Sequence, residues 1–170
     1  MAKRDCLIFL DRNHYAFFLG VVVLLLAPFT CWNVSAFDKI DLENLKKNNA
    51  CNSCDLRDSD LSKSNLLVAD LGGADLRGVD FSSANLSGVN FSKANLNGAD
   101  FTDSVLLGAN LRQANLRDAN FYQADLGSAD LRNADVEGAN FFKADLSNAK
   151  IDGVNIKKAR CRSTWCGPRR

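Results

Sequence analysis

Histidine is almost missing from this 170-residue chain; the one copy is His14. The commonest general base and metal ligand is therefore unavailable anywhere beyond it. Proline is nearly as scarce, with only Pro28 and Pro168, so no imino ring interrupts the backbone between them. Neither sign of charge is in excess. Twenty-one Lys and Arg face 20 Asp and Glu, for a net charge of +1, which excludes a global pull towards nucleic acid or an acidic membrane. A glycine-rich phosphate loop is also missing: "GADLRGVD" is part of a repeat, not a strand–loop–helix fingerprint. Long apolar runs are absent too, with one exception at residues 15–37, which carry no charge.

That exception has the layout of a secretory signal. Lys3, Arg4 and Arg12 precede "YAFFLGVVVLLLAPFTCW", and "NVSA" follows with Val34 and Ala36 in a small-residue A-x-A-like pattern. Pro28 and Thr30 shorten the best apolar stretch to residues 16–27, too short for a good span. Cleavage after Ala36 is the first expectation. An uncleaved anchor formed by residues 15–32 is the second. Both place the folded part outside the cytoplasm.

What remains is rhythm. In "ANLRQANLRDANFYQADLGSADLRNAD", residues 109–135, Ala returns every fifth position, followed by Asn or Asp and then Leu or Phe. Five is neither the helical period nor the strand period. Taking the large apolar residue as position i, the series runs every five residues from Leu56 to Ile156, twenty-one positions without a polar one. Position i−2 is small, mostly Ala; i−1 is mainly Asp or Asn; i+1 and i+2 are mainly Ser, Arg, Lys, Gly and Asn. One large and one small residue point inward and three point outward, so the chain turns after each five. A fixed period marks a repeat architecture in which each unit buries its face against its neighbours.

Phe81, Phe101, Phe121 and Phe141 are spaced by twenty, four repeats. A four-sided coil stacks these rings in one interior column, where aromatic pairs add stability. A three-sided coil would scatter them. About five coils follow, a rod of roughly 25 Å at strand spacing.

"ADLGGADLRGVDF" and "ANLRQANLRDANF" resemble the pentapeptide repeat family, pattern A(D/N)LXX, over residues 51–160. The resemblance implies an all-β fold, a right-handed quadrilateral β-helix. Departures stand at Val105, Lys150 and around Ser59. The opening "LKKNNACNSCDLRDSDLSKSNL" is similar to signal-bearing lumenal members from cyanobacteria and chloroplasts, in which a short helix caps the first coil and a cysteine pair follows. The expected organisation is a signal or anchor over 1–36, a capping helix within 37–50, the solenoid over 51–160 and a C-terminal cap or tail over 161–170. "DLENLKKN" reads as the helix, with Asp41 as its N-cap and Ile40 and Leu45 as its apolar face. Trp165 is the candidate lid at the other end.

Cys6 and Cys31 leave with a cleaved leader. Cys51, Cys54, Cys161 and Cys166 remain, an even number that suits an oxidising compartment. The two pairs lie at opposite ends of a rod roughly 25 Å tall, and a disulfide needs Cα atoms within about 7 Å. The expected bridges are Cys51–Cys54 and Cys161–Cys166, in a structural role. Thiol–disulfide chemistry at Cys51 and Cys54, and free or metal-bound thiols, stay open as alternatives.

Serines lack a base partner, and the aspartates follow the repeat, so no catalytic residue, metal or other cofactor is expected. Binding surfaces follow from the twenty-residue period. Tyr122 and Phe142 should be outer neighbours, a candidate partner patch. Arg57, Arg77, Asn97, Arg117, Glu137 and Lys157 form a second, mostly basic column. A plain solvated face is the alternative for each.

Three functions are weighed. The first is a non-catalytic exported solenoid that binds or scaffolds another protein in a thylakoid lumen or periplasm. The second is a DNA mimic of the gyrase-binding type, implied by the family. Residues 51–160 hold fifteen acidic and twelve basic side chains spread over several faces, a poor match to an acidic rod. The third is a redox protein using Cys51 and Cys54.

Overall fold

The computed structural model describes residues 39–161. All eighteen isolated β-bridges are parallel and pair residues twenty apart, from Ala50 with Asp70 to Asn140 with Arg160. A coil is therefore four five-residue sides, in agreement with the Phe spacing.

One repeat shows why the unit is five. The Phe101 N–H donates to the Asn120 carbonyl of the next coil at 2.7 Å, and the Asp103 N–H to that of Tyr122 at 3.0 Å. The Asp100 N–H donates to Val79 of the previous coil at 2.9 Å. The Ser104 N–H closes the corner on the Phe101 carbonyl at 3.1 Å. The fifth N–H, of Thr102, has no backbone partner and donates instead to Asp100 Oδ1 at 2.9 Å. Every N–H is thus placed, which a buried backbone demands. The last bond explains Asp or Asn at i−1: their short side chains reach the N–H two residues on. The corner also needs a positive φ at i+2. Asp58, Lys63, Gln113 and Ser128 adopt it at 56–59°, and Gly occupies seven such positions.

The interior holds the i and i−2 residues. Phe101 and Phe121 stack 4.7 Å apart and 1° from parallel, and Phe121 and Phe141 4.8 Å apart and parallel. Phe81 joins the column 5.3 Å from Phe101, and Phe91 packs edge-on against both.

The departures behave differently from one another. Val105 and Lys150 keep their bridges, because the ladder is made by backbone. Val105 has no oxygen to offer the Leu107 N–H, so only the side-chain bond is forgone. Ser59 and Ser64 replace the small apolar residue, and their buried hydroxyls find no partner. Ser104 escapes by donating to the Phe101 carbonyl at 2.7 Å. Ser59→Ala is therefore expected to raise stability by about 1 kcal/mol, the cost of a buried unsatisfied hydroxyl. A urea midpoint that stays or falls would show that the hydroxyl is partnered after all.

The N-terminal helix α1 spans Lys39–Asn48. Asp41 lies in its first turn instead of capping it, and its Oδ2 accepts the Asp55 N–H of the first coil at 2.9 Å. Ile40 was expected inward but is 67% exposed. Leu42 and Leu45 face the core instead, because residues three apart share a helix side. At the other end the rhythm stops one unit early. Ile156 opens a short 3-10 turn, Ile156–Lys158, in place of a repeat corner, and its side chain is only half-buried. Trp165 lies outside the described residues.

Candidate binding surface

Four outer faces result, each headed by one core column. The face over the Phe column carries Ser62, Ser82, Thr102, Tyr122 and Phe142 at i+1. Tyr122 and Phe142 lie side by side, ring centroids 5.8 Å apart and tilted by 32°. Both are half-buried. Sequence reasoning missed their third member. Lys143 Nζ lies 5.3 Å from the Tyr122 centroid and 5.7 Å from that of Phe142, and donates to Tyr122 Oη at 3.0 Å. Gln123 Nε2 donates to Asp103 Oδ1 at 2.9 Å beside it. A cation held on two ring faces is a modest attraction at an exposed site. The patch therefore offers apolar area and one movable positive charge.

The arginine column is placed as expected, but its charges are engaged. Arg57 pairs with Asp55 at 2.6 Å, Arg77 with Asp75 at 2.7 Å, and Arg117 with Asp135 at 3.2 Å and with Glu137. The side-chain bond from each arginine holds the Asp55 and Asp75 carboxyls below the usual range. The column is a ladder of exposed ion pairs, each of small worth, and not a free basic strip. The carboxylates at i−1 set the corner geometry and the arginines at i+1 answer them from the same side.

The strongest such effect is on another face. Two bonds from Arg132, Nε at 2.8 Å and Nη2 at 2.6 Å, lower the Asp130 pKa from 3.8 to about 2. A carboxyl depressed on folding contributes stability above its unfolded value and loses it as pH falls through its folded one. Stability is thus expected to hold down to about pH 4 and to drop between pH 4 and pH 2, with Asp130 contributing at most about 2 kcal/mol. Acid titration of the unfolding midpoint checks this, and Asp130→Asn should flatten the drop.

Near α1, the sulfurs of Cys51 and Cys54 are joined, with Cα atoms 5.5 Å apart. The Asp41 carboxylate and these sulfurs lie within 4.8 Å of one another and could hold a metal ion only after reduction. Cys161 is also disulfide-bonded; its expected partner Cys166 lies outside the described residues. The aspartates of the repeat serve the corners: Asp60 and Asp100 each accept the hydroxyl and N–H two residues on. Among the described residues, no helix is long and apolar enough to cross a membrane. The sequence reading also passed over a set of exposed apolar residues, Leu67, Val68 and Leu107, on the face over the Leu66 column. Reading the i+1 and i+2 positions of every face at the twenty-residue period would have found them.

Comparison with known proteins gives one family. The model described as pentapeptide repeats matches with eight copies, over residues 54–92, 84–121, 94–133 and 119–157. No curated protein gives a match. Among solved structures, the chain is similar to the pentapeptide repeat protein Rfr23 from the cyanobacterium Cyanothece 51142, at 23% identity and TM-score 0.67, over 71% of this chain and 94% of that one. A pentapeptide repeat protein from the Arabidopsis thaliana thylakoid lumen aligns at 32% identity and TM-score 0.31, over 65% of this chain and 64% of that one. QnrB1, a plasmid-mediated fluoroquinolone resistance protein, aligns at 23% identity and TM-score 0.37, over 66% and 71%.

Proposed function

Because the chain belongs to the pentapeptide repeat family, we propose that it is a non-catalytic, exported right-handed quadrilateral solenoid whose work is to bind another protein. The observation that carries this reading is the patch of Tyr122, Phe142 and Lys143. It gathers two aromatic rings and a cation on a solenoid whose arginines Arg57, Arg77 and Arg117 are engaged in ion pairs. Tyr and Phe are among the residue types enriched at protein interfaces, and Lys143 adds a charge that can select an acidic partner. The partner chemistry that fits is a carboxylate beside an apolar side chain. The carboxylate draws Lys143 off the rings, and the apolar group takes its place.

Export to a lumen or periplasm rests on the leader-like layout of residues 1–36 and on the four cysteines beyond it. In this reading Cys51–Cys54 and Cys161–Cys166 are structural bridges at the two ends of the rod. No reaction is assigned to them.

Two measurements test the proposal. The first is an intact mass of the protein from its own cell fraction, before and after alkylation. A chain that starts at Phe37 with no alkylated thiol is expected. A full-length chain with six reactive thiols overturns export. The second is a photo-crosslinking residue at position 142, compared with one at position 97 on the arginine face. A protein adduct specific to position 142 is expected, and Tyr122→Ser should abolish it. Equal labelling from both positions overturns the assignment of the patch.

A further inference from the structure

The face over the Leu66 column differs from the other three. Its fifteen outward positions, the i−1, i+1 and i+2 residues of five repeats, include two charged residues, Asp125 and Asp145, and no basic one. Among the described residues, three of the four exposed large hydrophobic ones lie here: Leu67 at 47%, Val68 at 68% and Leu107 at 46% exposure. Val105 adds a fourth apolar side chain, in a position where every other described repeat but that of Lys150 sets Asn or Asp. The residues between them are small. Ser87 and Gly88 separate Leu67 from Leu107, and space is open around Gly108, where an added Cβ would meet nothing within 4 Å.

The order along the rod is a second clue. Below Leu67 ends α1, whose last turn carries the exposed Lys46 and Lys47. The link is direct, since Asn49 Nδ2 donates to the Leu67 carbonyl at 2.9 Å. Above Leu107 come Asp125 and then Asp145. From bottom to top the face reads cationic, apolar, small, apolar, anionic. Inverted, the same series is its own complement.

We infer that this face joins two copies of the chain side by side with their rods antiparallel. The two-fold axis lies in the plane of the face, across the rod, at the level of Ser87. That operation sets Leu67 against Leu107 of the second copy and Ser87 against its own counterpart. Val68, a projecting side chain, meets the open notch at Gly108. The cationic end of α1 comes level with Asp125. An isologous contact needs such self-complementarity, and the uncharged centre lets the two faces approach. One side of one rod is a small area, so the dimer is weak, with a dissociation constant on the order of micromolar.

Sedimentation velocity of the natively processed protein over a wide concentration range tests this. The expected result is a reversible monomer–dimer equilibrium. Leu107→Lys should weaken the dimer at least about tenfold, as loss of a central apolar contact does. Both leucines point outward, so unfolding midpoints should stay near wild type and show that the variants fold. The decisive variant is the double one. Leu67→Asp with Leu107→Lys places opposite charges across the two-fold axis, while the two residues of one copy stay two coils apart. Recovery of the dimer relative to Leu107→Lys supports the arrangement. A wild type that is monomeric throughout overturns it, as does a dimer indifferent to Leu107→Lys, or a double variant weaker than both single ones.

Discussion

Phe101→Ala lowers the unfolding free energy by about 5 kcal/mol, the top of the range for truncating a buried aromatic side chain. Phe101 is completely buried and has three aromatic neighbours: Phe121 at 4.7 Å, Phe81 at 5.3 Å and Phe91 at 6.0 Å. Its removal leaves a cavity at mid-height that little can fill, since every coil is locked to the next by backbone bonds. The flanking rings also lose stacking worth about 0.5–1.5 kcal/mol per pair. Typical domains hold only about 5–15 kcal/mol in total, so one substitution approaches the whole stability. In a stacked array, stability is close to a sum of unit and neighbour terms. Damage at the centre should therefore uncouple the two ends, and the denaturant slope should fall along with the midpoint. Urea unfolding followed by circular dichroism reads both. A loss under about 2 kcal/mol would mean that the rings do not form the packed column described.

Ala119→Leu is expected to cost about 3 kcal/mol, the upper end for inserting methylenes into a packed core. Ala119 is completely buried at an i−2 position, with Ala99 one coil below and Ala139 one coil above. Coil spacing is set by the hydrogen-bond ladder and cannot widen locally to admit a longer side chain. Ala119→Val should cost far less, because Val79 and Val89 already occupy equivalent positions without exposure. The test is the difference between the two variants in thermal or urea unfolding. If Leu is no worse than Val, the size limit at i−2 does not come from packing.

Both effects were legible in the sequence because they follow from strict periods. Alternation of small and large residues every five positions requires two inward residues per side. Phe at every twentieth position requires four sides. The adjacency of Tyr122 and Phe142 came from the same arithmetic and holds at 5.8 Å. The readings that failed depended on contacts between non-periodic parts. Ile40 and Leu42 are equally apolar, and only the position of the first coil beneath α1 decides which one is buried. Asp41 looked like a cap for its own helix, yet it spends its carboxylate on Asp55 of the coil. Ile156 continues the pattern in letters, but with too little solenoid above it the chain turns into a 3-10 segment.

The outer surface divides in the same way. Sequence alone determined which residues point outward and which of them share a column, because a corner every five residues leaves no freedom in that choice. It could not determine what those side chains do once there. Arg57, Arg77 and Arg117 read as a basic strip until the carboxylates at i−1 and on the next coil are brought within reach. Lys143 reads as a solvated charge until it is found over two rings. The physical reason is range. The repeat is dictated by backbone hydrogen bonding and by volume, which each five-residue unit carries in its own letters. Pairing across a surface depends on side-chain reach between coils, and that exists only after the coils have stacked.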